Sequence, residues 1–179
     1  ASRSEDVPVV ALNGVSKVFY APGWRIGYMA LHDPLERLVH VRDGIERLLR
    51  SRLCASTPAQ LGYLAGLEGD RGWMEVYAKK VLKQRDHCLE RISTIDGLEV
   101  ERPGGAFYMF IRLTDEQWAK DDKAFVLNLL HEEHVLLVHG SGFSPDLGQG
   151  HVRLVFLADI EVLDEVFDRI DRFLQKHRQ

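Results

Sequence analysis

The sequence predicts a mixed α/β fold in three consecutive parts. Residues 1–70 read as the end of a sheet-bearing domain, 71–95 as a long connecting helix, and 85–179 as a small α/β domain. Three observations predict this. Short apolar runs bounded by turn residues alternate with stretches of helical period along the 179 residues, the pattern of strands and helices packed in layers. The first thirty residues hold only two strand-like runs, too few for an independent sheet core. They are expected to complete a larger sheet whose other strands lie outside this stretch. From about residue 85 onward, strands and helices recur closely enough to enclose a core of their own.

The elements follow in order. Residues 7–12 are a short apolar run closed by Asn13-Gly14, and read as a buried strand. A second buried run, 26–31, follows the Pro22-Gly23 turn. Asp33-Pro34-Leu35-Glu36 then gives a helix start, with Asp33 as N-cap, Pro34 at the first helical position and Glu36 closing a capping box. Leu35, Leu38, Val39, Ile45, Leu48 and Leu49 recur at helical spacing to about Arg50. Thr57-Pro58-Ala59-Gln60 repeats the start signal for a shorter helix that stops near 66–69. The long helix is expected over 72–95, burying Val76, Leu82, Leu89 and Ile92. Strands follow at 98–102 and 106–113 around Pro103-Gly104-Gly105, then a polar linker with Lys120 and Lys123. A helix over 124–133, capped at Asp121-Asp122, precedes strands at 135–138 and 152–157. The final amphipathic helix, 160–176, carries Leu163, Val166, Phe167, Ile170 and Phe173 on its buried side.

Composition bounds the function. Apolar residues at 45% and charged residues at 28% describe a globular chain rather than a disordered one. A net charge of −4 gives no reason to expect nucleic acid or an acidic membrane surface as partner. No apolar run approaches the roughly 20 residues that cross a bilayer. Residues 1–6 are polar and lack the form of a signal peptide. Cys54 and Cys88 lack metal-ligand spacing and read as reduced thiols of a cytoplasmic protein.

The chemistry concentrates in residues 13–27, Asn-Gly-Val-Ser-Lys-Val-Phe-Tyr-Ala-Pro-Gly-Trp-Arg-Ile-Gly. Lys17 directly follows a buried strand in a Gly/Ser loop, a placement with an apolar-lined stem. Desolvation and neighbouring cations favour the free amine, the nucleophile of Schiff-base chemistry. Arg25, eight positions on, offers a planar fork suited to a phosphate. Taken alone, a loop lysine is ordinarily a solvated surface group and Arg25 a rim ion pair.

The whole string resembles the active-site lysine motif of class I aminotransferases, the fold-type I pyridoxal-phosphate enzymes, and within them the alanine aminotransferase branch. Three further segments agree in order: Arg52-Leu53-Cys54 before Thr57-Pro58-Ala59-Gln60; Pro103-Gly104-Gly105-Ala106-Phe107-Tyr108; and Val138-His139-Gly140-Ser141-Gly142-Phe143 leading to His151-Val152-Arg153-Leu154. The resemblance runs through nearly all of the chain and implies the C-terminal part of a fold-type I enzyme. It implies pyridoxal 5'-phosphate as cofactor, an amino acid and a 2-oxo acid as substrates with alanine and glutamate favoured, and a homodimer. Aspartate aminotransferase is the rival activity, and a non-catalytic ligand-binding or dimerisation module the rival class.

Carried onto this sequence, Lys17 is the catalytic residue, forming the Schiff base with the cofactor and then moving a proton. Arg25 binds the cofactor phosphate, and Ser16 adds a hydroxyl. Many relatives place a phosphate-binding serine three positions before the lysine, where this sequence has Gly14. Arg153 is assigned the substrate α-carboxylate. Arg52 matches the place from which related enzymes send an arginine to a second carboxylate across the subunit interface. A solvated basic helix end with Arg42, Arg47 and Arg50 is the alternative reading. His139, His151 and the Trp73/Tyr77 pair read as structural, and no metal site is expected. The family's acidic partner of the pyridinium nitrogen, its phenol-bonding tyrosine and its Gly-rich phosphate turn all precede the lysine. The stretch before Lys17 has no place for them, so this chain alone is expected to be a poor catalyst.

Overall fold

A computed structural model describes residues 6–178, which fall into two compact units, Ala1–Gly72 and Trp73–Gln179. None of the described helices is long and apolar enough to cross a membrane.

In the first unit, β1 (Val9–Gly14) and β2 (Gly27–His32) pair antiparallel, from Val9 opposite His32 to Gly14 opposite Gly27. The closed end of this ribbon is tight. A Cβ on Gly27 would meet the Asn13 carbonyl at 2.4 Å, so only glycine allows the backbones to approach there. Between the strands lie a one-turn helix, α1 (Val15–Val18), and a 3-10 turn, Pro22–Trp24. Two helices complete the unit, α2 (Val39–Arg52) and α3 (Thr57–Glu68). The core is small: Val15, Ile26 and Tyr63 are buried, with Phe19, Ala21 and Ala59 against them. Helix α3 meets aromatic rings with small residues one turn apart. Cβ atoms on Gly62 and Gly66 would strike Trp24 at 2.5 Å and Phe19 at 2.9 Å.

Several expectations for this region are corrected. Both strands are shifted and largely exposed rather than buried, since the two-stranded ribbon has little beneath it. Helix α2 begins at Val39, not after Asp33. The Asp33 carboxylate accepts from the backbone N–H groups of Arg37 (2.9 Å) and Leu38 (2.6 Å). This side-chain turn replaces the capping box, and Glu36 sits at φ 52°, outside any helix. The N-cap of α3 is Ser56, one residue before the expected Thr57.

The second unit is a four-stranded antiparallel sheet in the order β3-β4-β6-β5, with helices packed on it. Helix α4 (Gly72–Ser93) leads to β3 (Leu98–Val100) and β4 (Tyr108–Leu113). Then come α5 (Glu116–Lys120), α6 (Asp122–Glu133), β5 (Val138–His139), β6 (His151–Val155) and α7 (Ile160–His177). Strand alternation aims Met109, Ile111, Val152 and Leu154 inward. Leu163, Phe167, Ile170 and Phe173 of α7 meet them at the spacing the sequence predicts. Each such side chain, fully buried, contributes about 1.5–3 kcal/mol.

Here too the structure corrects details. Helix α4 buries Gln84, Cys88 and Ile92, while Val76 (71%) and Leu82 (46%) are exposed. Its inward stripe is rotated because Gln84 faces in, donating to the Leu157 and Ala158 carbonyls. The polar linker holds α5, capped by Asp115 and burying Trp118. Strand β5 is two residues long rather than four, with Val135 and Leu137 buried ahead of it. Asp121 caps α6 as expected, accepting from Ala124 N–H at 2.8 Å.

Candidate active site

Each unit presents one group of candidate residues. In the first, the closed end of the ribbon sets the positions of Lys17 and Arg25. Val15 is buried and donates its N–H to the Ile26 carbonyl (3.2 Å). This anchors α1, which carries Ser16 half-buried and Lys17 exposed. Lys17 therefore stands on a helical turn rather than in an open loop, and the strand before it is not buried, correcting that expectation. Arg25 leaves the 3-10 turn with φ 53° and donates through Nη1 to the Pro22 carbonyl at 2.7 Å. Lys17 lies three residues after Gly14 and Arg25 two before Gly27, and these glycines face each other across the ribbon. The topology thus brings the amine-bearing and guanidinium-bearing segments to one end. Tyr63 lies beneath them, stacked with Tyr28 at 6.0 Å. Burial holds its phenol above the usual range.

Arg52 is the last residue of α2 and is exposed. Arg47 pairs along the helix with Asp43 at 2.8 Å, and Arg42 and Arg50 lie 3.9 Å from Glu46. Among the described residues Arg52 has no such partner.

In the second unit, Arg153 stands on the sheet face opposite the core, because its neighbours Val152 and Leu154 point inward. The guanidinium carbon lies 4.8 Å from the Tyr108 ring centre and 4.7 Å from that of Phe143, within cation–π range. Its Nε is buried and has no hydrogen-bond acceptor among the described residues. Arg153 also lines a cavity of about 360 Å³ whose walls include Leu136, Val138, Val155 and Val166. A half-buried cation beside apolar walls, with an unanswered donor, favours a planar anion. Two strands supply the neighbouring rings: Phe110 stacks on His151 at 4.9 Å. His151 donates through Nδ1 to the Gln149 carbonyl at 3.0 Å.

Sequence reasoning singled out Lys17, Ser16, Arg25, Arg52 and Arg153, and gave no role to Tyr108 and Phe143, whose rings flank Arg153. Tyr108 was detectable in part, since strand alternation from the apolar Met109 and Ile111 puts it on the other face. Phe143 follows a Gly-Ser-Gly turn whose direction the sequence does not encode. No group of three metal-ligating side chains occurs among the described residues.

Comparison with known proteins bears on this geometry. The family model described as aminotransferase class I and II matches residues 1–170. Glutamate-pyruvate aminotransferase AlaA of Haemophilus influenzae is 35% identical over 185 residues, covering 100% of this chain and 45% of that protein. Alanine aminotransferase of Mycobacterium tuberculosis is 34% identical, with 100% and 42% coverage. The solved structure of alanine aminotransferase from Pyrococcus furiosus superposes with a TM-score of 0.93 at 47% identity, over 98% of this chain and 44% of that one. An aspartate aminotransferase from Rhizobium meliloti gives 0.74 at 27% identity, over 91% and 41%. The chain spans less than half the length of these relatives. With the family match running almost end to end, the chain belongs to the class I and II aminotransferases.

Proposed function

We propose that this chain supplies the lysine and three arginines of a pyridoxal-phosphate-dependent aminotransferase, which moves an amino group between an amino acid and a 2-oxo acid. Alanine or glutamate with pyruvate or 2-oxoglutarate is the favoured pairing. The observation that carries the reading is Arg153: a guanidinium beside two rings, its buried Nε lacking an acceptor among the described residues.

The residues present suit the cofactor. Lys17 offers a primary amine to its aldehyde, and Arg25 a guanidinium to its phosphate. Ser16 offers a hydroxyl one residue from Lys17. When bound, pyridoxal phosphate supplies the electron sink that stabilises negative charge at the substrate's Cα. Lys17 would act as general base at the substrate's Cα and as general acid at the cofactor's C4′ carbon, so that the proton moves between the two carbons. Arg25 neutralises the phosphate. Arg153 fixes the α-carboxylate by two parallel hydrogen bonds, which limits the orientations open to the bound substrate. Arg52, exposed at the end of α2, reaches a second carboxylate from the partner subunit of a homodimer. The 47% identity to alanine aminotransferase, against 27% to the aspartate aminotransferase of Rhizobium meliloti, supports the alanine assignment.

The test uses the native polypeptide that carries this chain. Incubation with pyridoxal phosphate, borohydride reduction and peptide mapping should label Lys17. Lys17→Ala should abolish turnover while leaving the circular dichroism spectrum unchanged, because an exposed amine contributes little packing. Label confined to another lysine, or full turnover in the Ala variant, refutes the assignment.

A further inference from the structure

We infer that Asp122 and Ser141 are positioning residues for Arg153, acting through the ring of Phe143; the inference rests on Arg153 binding the substrate carboxylate. Phe143 is 54% exposed, so burial does not hold its ring against the guanidinium. Its position is set by the turn before it, the 3-10 segment Gly140–Gly142, whose Gly140 carbonyl accepts from Phe143 N–H at 2.8 Å, together with an edge contact to the Phe110 ring at 6.3 Å.

That turn is fixed at Ser141. Asp122, 2% exposed, accepts from the Ser141 backbone N–H through Oδ2 at 2.8 Å and from its hydroxyl through Oδ1 at 2.7 Å. A buried carboxylate is costly unless hydrogen-bonded, and both of these bonds go to one residue of one turn. Asp122 is not needed as a helix cap, since Asp121 already serves α6. The Ser141 hydroxyl proton is committed to Asp122. His139 Nδ1, 3.0 Å from the Ser141 oxygen, must therefore be the donor in that contact.

The turn has little room to relax. A Cβ on Gly140 would meet the Gly148 carbonyl at 2.2 Å and the His151 carbonyl at 2.8 Å. A line of contacts thus runs from the start of α6 through Ser141 and the turn to the ring 4.7 Å from the Arg153 guanidinium. With the ring fixed, the guanidinium is held in one plane before the carboxylate arrives, and less orientational freedom is lost on binding.

The experiment compares Ser141→Ala, Ser141→Thr, Phe143→Leu and Arg153→Lys in the native polypeptide. Ser141→Ala and Phe143→Leu should raise KM for the amino acid about tenfold with kcat within about threefold, the signature of a misoriented binding group. Ser141→Thr, which keeps the hydroxyl, should restore KM. A second readout needs no turnover: phenylglyoxal modification of Arg153, mapped by peptide, should lose its protection by 2-oxo acid in the first two variants. Lys17 labelling should be unchanged throughout. If Ser141→Ala lowers the melting temperature but leaves KM and protection intact, the turn is only a staple and the inference is overturned. Should Ser141→Ala fail to fold, Phe143→Leu at its exposed site decides alone. A raised KM in Arg153→Lys only defeats the positioning role, whereas an unchanged KM there defeats the carboxylate reading itself.

Discussion

Replacing Arg153 by lysine keeps the charge and removes the plane, which makes it the sharpest probe of the carboxylate recognition proposed for it. A guanidinium and a carboxylate share two charge-assisted hydrogen bonds, each contributing about 1.5–3 kcal/mol. Lysine keeps one of them. It also loses the flat contact with Tyr108 and Phe143, at 4.8 and 4.7 Å in the structure, which is worth about 0.5–2 kcal/mol. The net loss is about 2–5 kcal/mol for a desolvated pair, or about 30-fold to several-thousand-fold in affinity. Saturation kinetics of the amino-acid half-reaction measure it directly. Arg112→Lys is the control, since Arg112 is exposed on the neighbouring strand and pairs with Glu99. Its change should stay within about twofold. A change of less than about threefold for Arg153→Lys would refute the reasoning, because the two-bond geometry sets a minimum loss near the low end of that range.

Two further predictions concern stability and reactivity. Glu132 is held below the ordinary carboxylate range by its hydrogen bond from Lys176 and then by His177, Glu133 by Arg172, and Asp164 by Arg91 and then His87. These pairs tie α7 to α6 and α4. Carboxyls depressed in the fold contribute stability above their unfolded pKa and lose it as pH falls through the folded values, so the melting temperature should hold near neutrality and decline below about pH 4. A melting temperature constant down to about pH 2 would contradict this. Burial pushes the Cys88 thiol up to about 12, while Cys54 is exposed. At about pH 8 a thiol reagent should modify Cys54 quickly and Cys88 only on unfolding; two equally fast thiols would contradict the placement.

What the sequence made legible divides along physical lines. The period of α7 was readable because its buried face is apolar at every turn, and hydrophobic spacing reports that directly. The face of α4 was read in part: Leu89 and Ile92 pack against the core as expected, but a polar residue, Gln84, takes an inward position that pattern reasoning reserves for apolar ones. Its hydrogen bonds come from residues more than seventy positions away. The start of α2 was misplaced for a local reason, since Asp33 satisfies the same donors in a turn as in a cap. At the candidate site, the charged residues were singled out because their chemistry is local to the motif. Their surroundings were not, because Tyr108 and Phe143 approach Arg153 from β4 and from the Gly140–Gly142 turn, and only the folded sheet brings them together.

The two units differ in what holds their candidate residues, and this bears on how each acts. Arg153 rides on a sheet with a large core of its own, running from Cys88 to Leu174. Lys17 rides on a ribbon anchored by three buried side chains, with Leu12 (76%) and Leu48 (71%) exposed in the same unit. A carboxylate clamp needs a fixed plane before substrate arrives, because orientation lost there appears as affinity. A lysine that bonds an aldehyde and then carries a proton must change position during the reaction, and a long side chain on a single helical turn permits that. The second unit's dense core therefore suits the recognition role proposed for Arg153, and the exposed turn of the first the proton-carrying role proposed for Lys17. Lost packing beneath Arg153 should accordingly surface in KM, and a changed setting of Lys17 in kcat.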